Sequence, residues 1–223
     1  MNLNVRFSKI ISLMRRTLND NNLVRATALK NLQNQEDGDP FKILIGTMLS
    51  ARTRDEVTTN VIETLFSRFR NPDELSNANV DEIRKLIRKI GFYNVKASRI
   101  KEASRILIEK YNSDVPSNLK DLLTLPGVGR KTANCVLVYA FEKPAIPVDI
   151  HVHRISNRLG LVNTKNPEET EQELMKKVQK KFWIDINDTF VMYGQNICKP
   201  ISPLCAVCKI KKLCKYYKTN YVS

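Results

Sequence analysis

Glycine is scarce in this chain, seven among 223 residues. Long stretches rich in Leu, Ile, Lys, Glu and Ala take its place, and no apolar–polar alternation punctuated by hairpin turns is visible. A β-sandwich or barrel is excluded on those grounds, and an all-α fold is expected. No apolar run approaches the roughly 18 residues that a membrane span requires. No secretory signal is recognisable, so the five cysteines belong to a reducing compartment where disulfides are disfavoured. A Ser-His-Asp order, a Walker loop and a dinucleotide fingerprint are all missing. The two histidines, His151 and His153, form an H-x-H pair with no other ligands evident nearby, and they read as satisfied or partner-facing side chains.

Acid is in short supply relative to base. Lys plus Arg number 37 against 23 Asp plus Glu, so the net charge is +14, which suits a polyanionic partner without naming it. The first 18 residues are basic and amphipathic, as a mitochondrial presequence would be. Phe7, Ile10, Ile11, Met14 and Leu18 keep the three-and-four spacing of one buried face, which favours a first structural helix.

The chain is organised around residues 125–149, LPGVGRKTANCVLVYAFEKPAIPVD. A short helix capped by Ser117 precedes it, and Ala133, Val136, Leu137 and Ala140 mark the buried face of the helix that follows. Between them Pro126-Gly127-Val128-Gly129 makes a tight turn. The second helix therefore starts with unpaired amides beside a bare backbone, an anion site that in a basic protein suits a nucleic-acid phosphate. Lys131 stands in its first turn, where the helix dipole disfavours a cation; the field lowers its pKa and improves it as an amine nucleophile. Phosphate binding by Lys131 and helix capping by Asp149 are the simpler readings of the same residues.

Elsewhere, Asp39-Pro40 starts a buried helix ending at Ser50-Ala51-Arg52-Thr53-Arg54-Asp55, which puts Arg52 and Arg54 at a surface. Asn71-Pro72 opens another helix. Gly91 is expected to stop the one over 81–90, and Asn94 to cap the next. Lys96 reads as a phosphate contact. Asn166-Pro167 begins a further helix, Trp183 and Phe182 read as core, and Cys135 as a small core residue. Near the C-terminus Cys198, Cys205, Cys208 and Cys214 give C-x6-C-x2-C-x5-C. Four thiols so spaced in a reducing cell mean a metal centre, for which tetrahedral zinc is the generic expectation.

LPGVGRKTA followed by VDIH resembles the helix-hairpin-helix and catalytic segment of the endonuclease III family of DNA glycosylases. LSARTRD is similar to that family's LSAQxTD signature, IGFYN to its IGLYN turn, and the cysteine spacing to its cluster loop. The resemblance implies Lys131 and Asp149 as the catalytic pair and a [4Fe–4S] cluster on the four cysteines. It further implies gap filling by Arg52 where the family has glutamine, a base-stack wedge at Phe92, and DNA contacts by Gly127, Gly129, Arg130, Thr132 and His151. Ile150 stands where the family usually has threonine.

The implied architecture is two helical lobes. One is a six-helix domain over 33–143 with the helix-hairpin-helix; the other is a cluster domain from 1–32 and 144–223, with its cluster loop at 198–214. Double-stranded DNA with damaged bases or abasic sites would lie, bent, across the cleft between them. The implied activity is bifunctional: N-glycosylase on oxidised pyrimidines, and AP lyase cutting 3′ to the abasic site by β-elimination through a Lys131 Schiff base. A monomer working inside the cell on DNA is expected, cytoplasmic if the source is prokaryotic. The alternatives are a monofunctional mismatch glycosylase for uracil, thymine or adenine, a damaged-DNA-binding protein without catalysis, and a zinc-stabilised DNA protein. The adenine enzymes usually carry a further C-terminal domain, whereas here the sequence runs only about nine residues past Cys214.

Overall fold

A computed structural model describes residues 3–23, 28–35, 38–53 and 55–222. Arg54 and residues 24–27, within the expected second helix, lie outside them. The described residues form thirteen α-helices and two 3₁₀ turns, with no strand among them, so the all-α expectation holds. The chain divides into two compact units, Met1–Arg25 with Pro144–Ser223, and Ala26–Lys143.

The first unit begins with α1 (Leu3–Asp20). Phe7, Ile10, Ile11, Met14 and Leu18 are all buried on it, as their spacing predicts.

The second unit runs from α2 (Ala28–Gln35) through α3 (Pro40–Ser50), α4 (Asp55–Arg68), α5 (Pro72–Asn77), α6 (Val80–Leu86), α7 (Tyr93–Tyr111) and α8 (Leu119–Leu122) to α9 (Arg130–Phe141). The expected boundary at residue 33 falls inside α2, which belongs wholly to this unit. Leu29 and Leu32 are buried there, and Gln33 Nε2 donates to Tyr139 O on α9 at 2.8 Å. The centre of the unit is α3, buried from Phe41 to Leu49 except for Lys42. Its Asp39 cap accepts from Phe41 N at 2.8 Å and Lys42 N at 3.2 Å, a cap worth about 1 kcal/mol. Asn71 caps α5 as expected. Three local expectations are corrected. The cap of α8 is Asn118, not Ser117, accepting from Asp121 N at 3.0 Å. α6 stops at Leu86 rather than running to Ile90, and Gly91 does not take the left-handed conformation. Phe92 does, at φ 60°, and precedes α7 directly, so Asn94 lies inside that helix.

The first unit resumes with α10 (Ile150–Arg158), α11 (Pro167–Lys177), α12 (Trp183–Asn196) and α13 (Lys215–Tyr221). Asn166 caps α11, accepting from Glu169 N at 2.9 Å. Trp183 is buried with its indole N–H on Val178 O at 2.9 Å. Apolar residues of α1 share one core with Val152 and Ile155 of α10 and with Ile186, Phe190 and Tyr193 of α12. Each fully buried large side chain there contributes about 1.5–3 kcal/mol. Polar ties reinforce the union of the chain's two ends: Arg6 Nη2 donates to Leu159 O and Leu213 O at 2.9 and 3.1 Å. Lys209 pairs with Asp20 at 2.7 Å.

Candidate active site and thiol centre

In the second unit, α8 and α9 form the hairpin. Leu122, Leu125 and Val128 are buried and pin the turn from below. Gly127 has φ +84°, and a Cβ there would stand 2.9 Å from Arg99 Cδ and 3.2 Å from Met48 Cε. Only glycine suits both the conformation and the space. Gly129 is the N-cap of α9 and offers no side chain to its first amides. A Cβ on Gly129 would meet nothing within 4 Å, so the approach to those amides is open. Lys131 is exposed in this first turn, with Arg130 and Thr132 half-buried beside it. Cys135 is fully buried further along α9, as its core reading requires.

The other surface feature of this unit joins two turns. Arg52, at φ 57°, holds its guanidinium 5.5 Å from the centroid of the Phe92 ring. Phe92 is 63% exposed, too open for a contact that merely closes a helix turn.

Lys96 contradicts its sequence reading. It is 9% exposed, and its ammonium donates to Leu49 O at 2.8 Å and Ala51 O at 2.6 Å. An ammonium so occupied is no phosphate contact. Burial pushes its pKa down to about 8. The signal was present: Lys96, Ala97, Ile100, Ala103, Ser104 and Leu107 form the buried stripe of α7, and helical spacing alone assigns Lys96 to it.

In the first unit, Asp149 is the N-cap of α10. Its Oδ1 accepts from both His151 N and Val152 N at 2.8 Å. The capping reading is realised, and it uses one carboxylate oxygen. Ile150, next in line, is 67% exposed. His151 is half-buried, its Nδ1 3.0 Å from Arg154 Nη2. His153 Nδ1 lies 2.7 Å from Thr170 Oγ1. Both histidines are therefore engaged within the protein.

Cys198, Cys205, Cys208 and Cys214 are all free thiols, and they line one pocket with Ile155, Leu159, Ile197 and Ile210. Among the described residues no three His, Cys, Asp or Glu side chains group closely enough to hold a single metal ion. Two donors unforeseen in the sequence reach the sulfurs. Tyr193 OH bonds Cys208 Sγ at 3.0 Å, and Arg158 Nη1 bonds Cys198 Sγ at 3.4 Å. Both come from helices outside the cysteine loop, so sequence proximity gives no hint of them. Burial pushes the Cys208 and Cys214 thiols up, a cost that a bound cation offsets by binding the thiolates.

An all-helical protein with a glycine hairpin presenting bare amides and a lysine, together with a four-cysteine loop, defines a class of helix-hairpin-helix proteins. Residues 45–180 match the family described as HhH-GPD superfamily base excision DNA repair protein. Endonuclease III of Thermotoga maritima is 50% identical over 196 residues, covering 88% of this chain and 92% of that one. A trapped endonuclease III–DNA covalent intermediate, in an estranged-adenine complex, superposes with a TM-score of 0.81 at 34% identity, covering 98% and 99% of the two chains. A thermostable thymine-DNA glycosylase superposes with a TM-score of 0.79 at 28% identity, covering 95% and 96%. The chain belongs to the endonuclease III family within the HhH-GPD superfamily.

Proposed function

We propose that the protein is a base excision repair enzyme: a DNA N-glycosylase that removes oxidised pyrimidines, and an AP lyase that cuts the strand 3′ to the abasic site. The observation that carries this reading is the exposed Lys131 in the first turn of α9, whose Gly129 N-cap makes no side-chain cap bond. Binding alone could use Lys131 on a phosphate, but it needs no lysine and aspartate together at this spacing.

The substrate is double-stranded DNA holding a damaged base or an abasic site, met by a single protein chain inside the cell. Backbone amides at Gly129 and Arg130, beside Gly127 and Thr132, take a phosphate. The damaged base leaves the stack at a cost of a few kcal/mol. Phe92 and Arg52 fill the opened stack, one by its ring and the other by its planar cation. The neutral Lys131 amine forms a bond to C1′ as the bond from C1′ to the base breaks and the base departs with that electron pair. Ring opening and loss of the amine proton leave a Schiff base. The proton on C2′ is then acidic, and its removal expels the 3′ phosphate by β-elimination. The Asp149 carboxylate caps α10 with Oδ1, and its second oxygen serves the positive charge that develops on the sugar. Contact of His151 with DNA is part of the same reading, at the start of that helix.

Cys198, Cys205, Cys208 and Cys214 would hold a [4Fe–4S] cluster. Four thiols that line one pocket, with hydrogen-bond donors at two of the sulfurs, fit such a cluster. When bound, the cluster cross-links the C-terminal loop and provides a one-electron couple. Base removal draws on neither property directly.

The test is borohydride trapping on a duplex carrying thymine glycol, with Lys131→Ala beside the wild type. A covalent protein–DNA adduct that vanishes in the variant is expected. Base release without any adduct from the wild type would show a monofunctional glycosylase, the reading that likeness to the thymine-DNA glycosylase structure favours. Neither adduct nor base release would leave only DNA binding.

A further inference from the structure

Lys96 buries a cation whose partners are backbone carbonyls, and the chemistry above does not use it. The two carbonyls, Leu49 O and Ala51 O, belong to the C-terminal end of α3. Such carbonyls lack acceptor duty within their own helix, and the helix dipole there favours a cation. α3 has no basic residue in its own last turn, so α7 supplies one.

The chain then reverses immediately. Arg52 is left-handed at φ 57°, a conformation that strains a non-glycine residue. Two further ties hold it. Gly91 N donates to Thr53 Oγ1 at 3.3 Å. A Cβ on Gly91 would stand 3.0 Å from Arg52 O, so the two turns pack backbone to backbone. Lys96 is joined to the other turn as well, since its own amide donates to Phe92 O at 3.1 Å. One residue therefore bonds the carbonyl that precedes Arg52 through its side chain and the Phe92 carbonyl through its backbone amide.

We infer that Lys96 is a positioning residue for recognition of the base opposite the lesion: it locks the Arg52 turn to the Phe92 turn, presenting the guanidinium preformed for guanine. Guanine is the base whose paired O6 and N7 acceptors match two parallel guanidinium donors. The inference rests on the reading of Arg52 given above.

The experiment measures the dissociation constant for duplexes holding a tetrahydrofuran abasic analogue opposite each of the four bases. Wild type is compared with Arg52→Ala, Lys96→Met, Lys96→Arg, Thr53→Val and the Arg52→Ala/Lys96→Met double variant. Wild type binds the guanine duplex tightest, by about tenfold. Lys96→Met brings the four constants together as Arg52→Ala does, Lys96→Arg recovers most of the preference, and the double variant is no worse than Arg52→Ala alone. A folded Lys96→Met with wild-type discrimination, or a loss that adds to that of Arg52→Ala, overturns the inference. If Lys96→Met does not fold, Thr53→Val carries the test, because it removes only the bond to Gly91: weakened discrimination supports the clamp and wild-type discrimination overturns it. Unchanged discrimination in Arg52→Ala overturns the role of Arg52 itself, which separates the two failures.

Discussion

Arg52 and Phe92 both adopt the left-handed conformation, and the guanidinium of one lies 5.5 Å from the ring centroid of the other. Two strained residues on separate turns meet through solvent-facing side chains. Neither is needed to fill the core, so the strain is offset by interactions elsewhere and is available for function. Phe92→Ala is expected to leave the melting temperature nearly unchanged, since the ring is 63% exposed. Its affinity for an abasic-site duplex should fall by about tenfold or more, the worth of one lost stacking partner. Thermal melts and fluorescence anisotropy on the same preparation check both halves.

Asp149 caps α10 and is proposed to serve the charge on the sugar, and substitution can separate the two. Asparagine caps a helix as well as aspartate does, so Asp149→Asn should keep the bonds to His151 N and Val152 N. Its stability should stay within about 0.5 kcal/mol of wild type, while base release drops by about a hundredfold or more with the loss of the negative charge. Asp149→Ala loses the cap too and should be less stable by about 1 kcal/mol. Urea unfolding beside single-turnover base release distinguishes the two; equal stability loss in both variants would mean the cap depends on charge rather than on the acceptor.

Lys96 gives stability a pH dependence of known sign. Its pKa is about 8 when folded, against 10.5 when unfolded. Below pH 8 both states hold the proton, and the folded protein bears the full cost of the buried cation. Between those values the unfolded chain binds more protons, so stability rises with pH. Above about 10.5 neither state is charged and the gain is complete. The wild type should therefore gain up to about 3 kcal/mol relative to Lys96→Met across that window. Urea midpoints at pH 7.5 and pH 10 measure the difference, and a constant gap between the two proteins would show that the carbonyls hold the ammonium charged throughout.

What the sequence makes legible here is local. The Asp39-Pro40, Asn71-Pro72 and Asn166-Pro167 starts, the face of α1 and the glycine turn at 126–129 all depend on neighbours within a few residues, and all stand as read. The errors arose where distant chain segments decide. α6 was expected to reach Gly91, but the last residues before it turn so that Gly91 can pack against the Arg52 backbone. For Lys96 the spacing of the α7 stripe makes burial legible, but the carbonyls that accept from its ammonium lie some 45 residues upstream and are not. Tyr193 and Cys208 are 15 residues apart, with no pattern linking a phenol to a thiol. The endonuclease III motifs named the candidate chemistry because they too are local words, each complete in about ten residues.

The cysteines separate by role in the same way. Cys135 is buried on α9 in the second unit, and the other four line the pocket in the first. If these four hold the proposed cluster, serine in place of any of Cys198, Cys205, Cys208 or Cys214 removes a soft ligand and is expected to abolish the brown colour, with iron per protein falling towards zero. Cys135→Ser, in the other unit, should retain its full iron. Tyr193→Phe removes the O–H bond to Cys208 Sγ while keeping the ring in the core. That variant should load iron normally and yield it faster to a chelator, because the partners around a metal's ligands hold those ligands in place. Iron and zinc assays with the time course of bleaching decide the matter. A colourless wild type carrying one zinc would replace the cluster by a tetrahedral ion, and chelator release at the wild-type rate in Tyr193→Phe would show that the phenol serves only the packing of α12.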